Sequence, residues 1–185
     1  MKINPTEIAD VLLFEPDVYK DGRGYFMELY NQSRYLDLGF QQTFVQDNYS
    51  VSSKGTLRGL HYQLNTPQGK LVQVLEGEVF DVALDIRKGS PTFGQHISRV
   101  LSESNHHQLY IPPGFAHGFC VLSDTVRFMY KCTGYYDPAD QHGIYWADEA
   151  LNIAWPADEP LLSDKDKVLP KLADVAPDKL DVFKN

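Results

Sequence analysis

The chain has little cysteine and no long apolar run. Its two cysteines, Cys120 and Cys132, are too few for a disulfide scaffold or a cysteine-based zinc site. Because no apolar segment approaches the roughly 20 residues of a membrane helix, we expect no membrane partner. The N-terminus also lacks the apolar core and the small-residue cleavage site of a signal peptide, so the expected location is the cytoplasm.

A surplus of basic residues is also absent. The chain has 17 Lys and Arg residues against 25 Asp and Glu residues, which gives a formal net charge of -8. Without a Lys/Arg cluster, nucleic acid is not an expected partner. An anionic small molecule would need a local pocket of cations. Arg23, Arg58 and Lys70 are candidates for it, because each lies among glycine and aromatic residues.

Turn signals recur at short intervals, between segments rich in β-branched and aromatic residues. This spacing is typical of an all-β sandwich or barrel. We predict a single jelly-roll domain over residues 1–185, with one short helix within 32–38 and another starting near Ser163. The segment after about Trp155 loses strand character and is expected to wrap over the barrel as a C-terminal tail. The interior of such a barrel is a natural cleft for a small molecule.

Two segments alternate clearly between apolar and polar side chains. In "EVFDVALDIR", Asp81 and Asp85 fall on the face opposite the apolar residues, which are Phe80, Val82, Leu84 and Ile86. In "TVRFMYKC", Tyr130 lies among apolar residues on the inward face. Either it is a core tyrosine with a backbone partner for its hydroxyl group, or it is an acid in a cavity.

Two histidines are candidates for chemistry, namely His61 in "GTLRGLHYQ" and His117 in "PPGFAH". They are arranged like the two halves of a cupin metal site, but Gln63 stands where a second histidine would be expected. Two histidines and an amide are a poor ligand set for zinc or iron, so we expect no metal. His117 could equally be a hydrogen-bonded core histidine.

A histidine without a metal can act as a general base near neutral pH. Such a base benefits from an orienting carboxylate, a cation beside the developing oxyanion and an acid on the opposite face. Asp166 could be the carboxylate, although Ser163-x-x-Asp166 is also a capping-box pattern with Asp in place of Glu. On local sequence alone the cap is favoured.

Six motifs occur in a fixed order between about Phe14 and Lys167. They are "DGRGYFMELYN", "FVQDNYSVSSKGTLRGLHYQ", "QGKLVQVLEGEVFDVALDIRKGSPTFG", "YIPPGFAHGF", "YKCTGYYDP" and "LSDKD". Together they resemble the dTDP-4-dehydrorhamnose 3,5-epimerase family. The resemblance implies a cofactor-free and metal-free cupin-type jelly roll, usually a homodimer. It implies an isomerase that inverts C3 and C5 of dTDP-4-dehydro-6-deoxy-D-glucose through an enolate, on the path to dTDP-L-rhamnose.

The resemblance also implies roles for individual residues. His61 matches the base, Asp166 its partner, Tyr130 the general acid and Lys70 the cation near the keto oxygen. The expected substrate-binding residues are Lys70 again and Arg23, Glu28, Gln46, Asp47, Asn48, Arg58, His117, Tyr136, Gln141 and Lys165. Among these, Tyr136 matches an aromatic residue that stacks on the thymine, and Gln141 stands where the family often has Glu.

The spacing of Arg58 and His61 raises a question of geometry. Residues three apart on a regular strand face opposite ways, yet both are expected to reach one substrate. A bulge at Gly59 would bring them to the same side. Three other functions remain open, which are a single-centre epimerase of a related pathway, a metal-dependent cupin oxygenase and a non-catalytic sugar-binding jelly roll.

Overall fold

The computed structural model describes residues 1–183, so the last two residues of the predicted 1–185 domain lie outside the described residues. The described chain forms thirteen strands and one short α-helix, α1 (Gln32–Asp37). The strands are β1 (Lys2–Pro5), β2 (Leu12–Glu15), β3 (Val18–Asp21), β4 (Gly24–Met27), β5 (Gln46–Ser53), β6 (Leu57–Gln63), β7 (Lys70–Glu76), β8 (Glu78–Asp85), β9 (His96–Ser102), β10 (Gln108–Ile111), β11 (Phe115–Val121), β12 (Thr125–Cys132) and β13 (Gln141–Gly143).

Two antiparallel sheets pack face to face. The larger sheet has the strand order β1-β2-β10-β7-β12-β5, and the smaller has the order β13-β6-β11-β8-β9. Strands β3 and β4 form a separate hairpin. Neighbours in each sheet are distant in sequence, as the crossing connections of a jelly roll require. The expected all-β architecture is therefore observed.

The core between the sheets is built from alternate residues of the facing strands. Phe128 of β12 and Phe119 of β11 are both buried, and their rings stack with centroids 4.2 Å apart. Burying an aromatic side chain of this size contributes about 2–3 kcal/mol. This pair therefore joins the two sheets directly beside the cavity described below.

Strand β8 is buried on both of its faces. Val79 and Ala83 belong to the core between the sheets. Val82 and Leu84 point the other way, into a second cluster that includes Leu172 and Leu180 of the C-terminal tail, among others. The predicted tail thus covers the apolar face of β8. The polar face, which the alternation alone would assign to solvent, lies on the inner side of the barrel.

The helices of the chain are short. Helix α1 begins after Asn31, whose side chain accepts a hydrogen bond from the backbone N–H of Ser33. The helix predicted to start near Ser163 is a 3-10 helix of three residues, Asp166–Val168. It ends there because Leu169 precedes Pro170, and a residue before proline is forced towards an extended conformation. Within residues 1–183, no helix has the length and apolar character needed to cross a membrane.

Candidate active site

A cavity of about 530 Å³ lies between the sheets. Nine of the predicted site residues line it. They are Asn48, Arg58, His61, Lys70, His117, Tyr130, Gln141, Lys165 and Asp166. A smaller space of about 210 Å³ shares His61, Lys70 and Tyr130 and reaches Tyr136. The fold thus gathers most of the predicted site in one place.

Gly59 makes it possible for Arg58 and His61 to face the same cavity. In the pairing of β6 with β11, Arg58 lies opposite Phe119 and His61 opposite His117, so two residues of β6 oppose one of β11. This is a β-bulge, as predicted. Gly59 has a φ of 135°, and a Cβ atom there would lie 2.5 Å from the Cα of Gly118. Only glycine fits this conformation and this close approach.

His61 and Asp166 form a hydrogen-bonded pair. The Nε2 atom of His61 lies 2.7 Å from Oδ1 of Asp166, with side-chain exposures of 28% and 5%. Burial opposes ionisation of Asp166, but hydrogen bonds from His61, the Gly59 backbone and Ser163 outweigh it, so the pKa of the carboxyl group is lowered. Because Asp166 N–H also bonds to Ser163 Oγ, the turn contact and the histidine contact coexist.

Tyr130 enters the cavity from the facing sheet. It lies on β12, partly buried, with its ring tilted against Phe128 at a centroid distance of 6.1 Å. Burial raises the pKa of its hydroxyl group, while the charge of Arg58 acts in the opposite direction. The hydroxyl group therefore stays protonated at neutral pH, as a general acid requires.

Lys70 also comes from the larger sheet, at the start of β7. Its Nζ atom lies 3.5 Å from the carbonyl oxygen of His61. Burial lowers the pKa of the ammonium group, and the nearby Cys132 and Asp81 act in the opposite direction. The side chain therefore places a partly desolvated cation next to the proposed base.

A second histidine–aspartate pair was not predicted. His117 Nε2 lies 2.9 Å from Oδ2 of Asp81, and both side chains are buried, with exposures of 7% and 0%. Burial lowers the pKa of the His117 imidazole despite the carboxylate beside it. The available signal was the position of Asp81 on the face of β8 opposite the apolar residues.

The remaining predicted contacts at the cavity are polar. Arg58 is exposed at the opening, and its Nε atom donates to Ser52 Oγ at 3.1 Å. Tyr136 donates its hydroxyl hydrogen to Oε1 of Gln141 at 2.5 Å. Lys165 adds a second exposed cation. This rim therefore offers cations and an aromatic ring to a ligand.

Four predicted binding residues do not line either space. The side chain of Asp47 lies on the outer face of β5, where it bonds to Lys131 at 2.8 Å. Alternation explains this, because Asp47 and Asn48 must face opposite ways. Gln46 instead supports the site, since its amide donates to Asn48 and its Oε1 accepts from the Tyr136 backbone.

Arg23 and Glu28 are the other two residues outside the cavity. Arg23 is 91% exposed and pairs with Asp21 within the β3–β4 hairpin. Glu28 accepts from Asn31 and pairs with Arg34 at 3.4 Å. Within one chain, neither side chain reaches the cavity that holds His61.

The histidine, carboxylate, tyrosine and cationic side chains that line the cavity are groups that can transfer protons and bind anions. Among residues 1–183, no group of three or more His, Cys, Asp or Glu side chains is arranged to hold a metal ion. The jelly roll and its cavity define a cupin-type protein with a hydrogen-bonded histidine–carboxylate pair, a facing tyrosine and a lysine.

Comparisons with known proteins identify the family. The family model for dTDP-4-dehydrorhamnose 3,5-epimerase matches residues 5–174. The dTDP-4-dehydrorhamnose 3,5-epimerase of Shigella flexneri is 56% identical over 168 residues, covering 90% of this chain and 93% of the relative. This chain therefore belongs to the dTDP-4-dehydrorhamnose 3,5-epimerase family, and the predicted family and isomerase class are confirmed.

Solved structures agree with this assignment and confirm the cupin-type jelly roll. The dTDP-6-deoxy-D-glucose-3,5-epimerase of Legionella pneumophila, in complex with dTDP-4-keto-L-rhamnose, is 48% identical. It superposes with a TM-score of 0.96 over 100% of this chain and 99% of that chain. The Bacillus anthracis dTDP-4-dehydrorhamnose 3,5-epimerase, with TDP and PPi bound, is 47% identical and has a TM-score of 0.89 over 92% and 98% of the two chains.

Proposed function

We propose that this protein inverts C3 and C5 of dTDP-4-dehydro-6-deoxy-D-glucose, in the formation of dTDP-L-rhamnose. The observation that carries the proposal is that the His61–Asp166 pair and the Tyr130 hydroxyl group enter the cavity from opposite walls. His61 and Asp166 reach the cavity from the smaller sheet and the adjoining tail, and Tyr130 reaches it from the larger sheet. Groups on opposite walls can act on opposite faces of one sugar ring.

The first step is removal of a proton next to the keto group. The 4-keto group makes the protons on C3 and C5 acidic, and His61 is the base that removes them. Its partner Asp166 is ionised and hydrogen-bonded, so it orients the ring and stabilises the imidazolium that forms. The C–H electron pair moves into the enolate, with its negative charge on the former keto oxygen.

Stabilisation of this enolate is the role proposed for Lys70. An ammonium group in a partly desolvated cavity stabilises developing negative charge more strongly than it would in water. Lys70 is the first residue of β7, and its Nζ atom contacts the carbonyl oxygen of His61, which positions the ammonium group for this role. No redox or hydrolytic group takes part.

Return of a proton to the other face completes each inversion. Tyr130 donates its hydroxyl proton to the enolate carbon from the wall opposite His61. Its raised pKa keeps the proton on the oxygen until the carbanion character develops. Solvent then restores the tyrosine proton and removes the proton held by His61, so the net reaction is an isomerisation.

The nucleotide part of the substrate is proposed to bind at the rim. The cations of Arg58 and Lys165 suit a diphosphate, and the ring of Tyr136 suits stacking on thymine. The Legionella relative was solved with dTDP-4-keto-L-rhamnose, which is a ligand of this class. Asn48, held by Gln46, and Gln141 supply neutral hydrogen-bonding groups beside it.

A homodimer would explain the position of Arg23 and Glu28. Strand β5 lies at the edge of the larger sheet and exposes Tyr49 and Val51, and an open edge of this kind favours pairing with another chain. We propose that a second copy packs there and carries its β3–β4 hairpin to the rim.

We also propose a cytoplasmic location, because Cys120 and Cys132 are free buried thiols that a reducing compartment preserves.

Solvent isotope incorporation tests the proposed function directly. The substrate is incubated with the enzyme in heavy water, and deuterium at C3 and C5 is followed by NMR or mass spectrometry. We expect deuterium at both carbons of the inverted product. His61→Asn should abolish incorporation, whereas His96→Asn, which replaces a histidine outside the cavity, should not.

The other outcomes separate the alternative functions. Deuterium at one carbon only would identify a single-centre epimerase. Binding of dTDP without any incorporation would identify a sugar-binding protein, and a stoichiometric transition metal in elemental analysis would favour a metal-dependent cupin. Each of these results would overturn the proposed function.

A further inference from the structure

Gln63 is a buried glutamine on β6, two residues after His61, at the position where a second histidine would complete a cupin metal site. We propose that Gln63 holds Tyr136 beside the smaller space of the cavity and thereby sets the affinity for the base of the nucleotide. It is a positioning residue, because it acts on the ligand only through the segment that carries Tyr136. This inference rests on the proposed function, in which Tyr136 stacks on thymine.

The segment that carries Tyr136 has no regular secondary structure. It lies between the end of β12 at Cys132 and the 3-10 helix Pro138–Asp140. Tyr136 itself is 48% exposed, and residues 135–139 are all exposed. Such a segment has little packing to fix it, so its conformation depends on hydrogen bonds to its backbone. A ring that is already in place binds a base more tightly, because no free energy is lost in ordering the loop.

The amide group of Gln63 bonds to the backbone on both sides of Tyr136. Its Oε1 atom accepts from the Asp137 N–H at 2.9 Å, and its Nε2 atom donates to the Tyr135 carbonyl oxygen at 3.2 Å. Nε2 also donates to the carbonyl oxygen and to Oγ1 of Thr66, each at 2.9 Å. One buried side chain therefore joins the Tyr136 segment to the loop that follows β6.

Two further glutamines bond to the same segment. Gln68 Nε2 donates to the carbonyl oxygen of Gly134 at 2.7 Å, and Gln46 Oε1 accepts from the Tyr136 N–H at 2.9 Å. Together with Gln63, these amides bond to the backbone of four successive residues. Gln63 makes two of the four bonds and is the most buried of the three glutamines. It also lines the smaller space together with Tyr136 and Gln68, so the segment that it holds forms a wall of that space.

The experiment replaces Gln63 with methionine, which has a similar length and shape but cannot make these hydrogen bonds. Titration calorimetry measures the Kd of dTDP and the Kd of inorganic pyrophosphate, which carries the anionic groups without a base. In Gln63→Met the Kd of dTDP should rise by about three- to tenfold, because part of the base–aromatic contact is lost. The Kd of pyrophosphate should not change. In steady-state kinetics KM should rise while kcat at saturating substrate is kept.

Gln73→Met is the matched control. Gln73 is equally buried, at 5% exposure, but its Oε1 atom accepts from Gln108 at 2.7 Å, and it lines neither space. This variant should leave the Kd of dTDP unchanged, even where it lowers stability. Tyr136→Ala should raise the Kd of dTDP by about tenfold or more. Adding Gln63→Met to Tyr136→Ala should cause no further rise, because the two changes remove the same contact.

An unchanged Kd of dTDP in folded Gln63→Met, or an equal rise for dTDP and pyrophosphate, would overturn the proposal. If that variant does not fold, hydrogen exchange of backbone amides in the unmodified protein decides. The Asp137 N–H should exchange markedly more slowly than in an unstructured peptide of the same sequence, although its segment is exposed; exchange at the peptide's rate would overturn the proposal. The binding and exchange measurements need no turnover, so their failure is distinct from a failure of isotope incorporation.

Discussion

The cavity contains two histidine–aspartate pairs that differ in solvation and origin. His61 keeps 28% of its side chain exposed and receives Asp166 from a 3-10 turn beyond the barrel. His117 is 7% exposed and receives Asp81 from the neighbouring strand β8. The two histidines are partners in the register of β6 and β11, so they share a face. Two similar pairs are thus placed side by side in different environments.

The difference shows how solvation divides acid–base work from positioning. A base must gain and lose a proton during each turnover, which requires a ring that solvent and substrate can reach. A buried ring with a lowered pKa stays neutral and serves as a fixed hydrogen-bonding group. On this argument the His61 pair is suited to carry the proton, and the His117 pair is suited to act as a fixed hydrogen-bonding group at the cavity wall.

Replacing each histidine in turn should separate these roles most strongly. His61→Asn is expected to lower kcat by about 10³-fold, within the range for loss of a general base. His117→Asn is expected to act mainly on KM, by about tenfold, because asparagine keeps a hydrogen-bonding group. Steady-state kinetics on both variants checks this. Equal losses of kcat would contradict the division of labour.

Gly59→Ala should disturb the alignment of the two pairs by breaking the bulge between Arg58 and His61. A Cβ atom there would meet the Gly118 Cα at 2.5 Å and the His117 carbonyl oxygen at 2.9 Å, both backbone atoms. We expect a loss of about 3 kcal/mol in the free energy of unfolding, from strain and overpacking.

Gly89→Ala is the control for this change. Gly89 also has a positive φ, of 86°, but a Cβ atom there would meet nothing within 4 Å. Its expected cost is about 1 kcal/mol, from the backbone conformation alone. Denaturant unfolding measures both variants. Equal costs would show that the contact with β11 does not set the geometry of the bulge.

Removing the charge of Asp166 tests how much the exposed pair depends on its carboxylate. Asp166→Asn should lower kcat by about 10²-fold, because asparagine cannot stabilise the imidazolium of His61 by charge. Asp164→Asn is the matched control in the same turn; this side chain is 98% exposed and pairs with Lys167. Isotope incorporation and kcat should be unchanged in the control. A similar loss in both variants would point to damage of the turn instead.

Much of this site was predictable from the sequence, for reasons that particular residues make clear. Alternation placed Tyr130 on the inward face of β12, and the structure agrees. The spacing of Arg58 and His61 required an irregular strand, and the positive φ of Gly59 supplies it. The resemblance supplied the pairing of His61 with Asp166, which local sequence favoured only as a turn contact.

Asp81 could not be placed because alternation along a strand gives two faces but not their surroundings. The apolar face of β8 is covered by the C-terminal tail through Leu172 and Leu180, a contact between segments far apart in sequence. That contact turns the polar face inward. The outward position of Asp47 has a simpler reason, since its neighbour Asn48 occupies the inward position on β5.

The smallest expected effect concerns Gln141, which lies at the rim on the side of the exposed pair. Gln141→Glu restores the residue that the family often has there. The new carboxylate would accept from Tyr136 more strongly than the amide does, but it would also repel a diphosphate. Because these effects oppose each other, we expect KM to change by less than about threefold, with kcat unaltered.

Gln42→Glu adds the same charge at an exposed position outside the cavity and controls for net charge. A tenfold loss of kcat in Gln141→Glu alone would place Gln141 with the proton-transfer groups of His61, because a rim contact that acts only on binding leaves the chemical step unchanged.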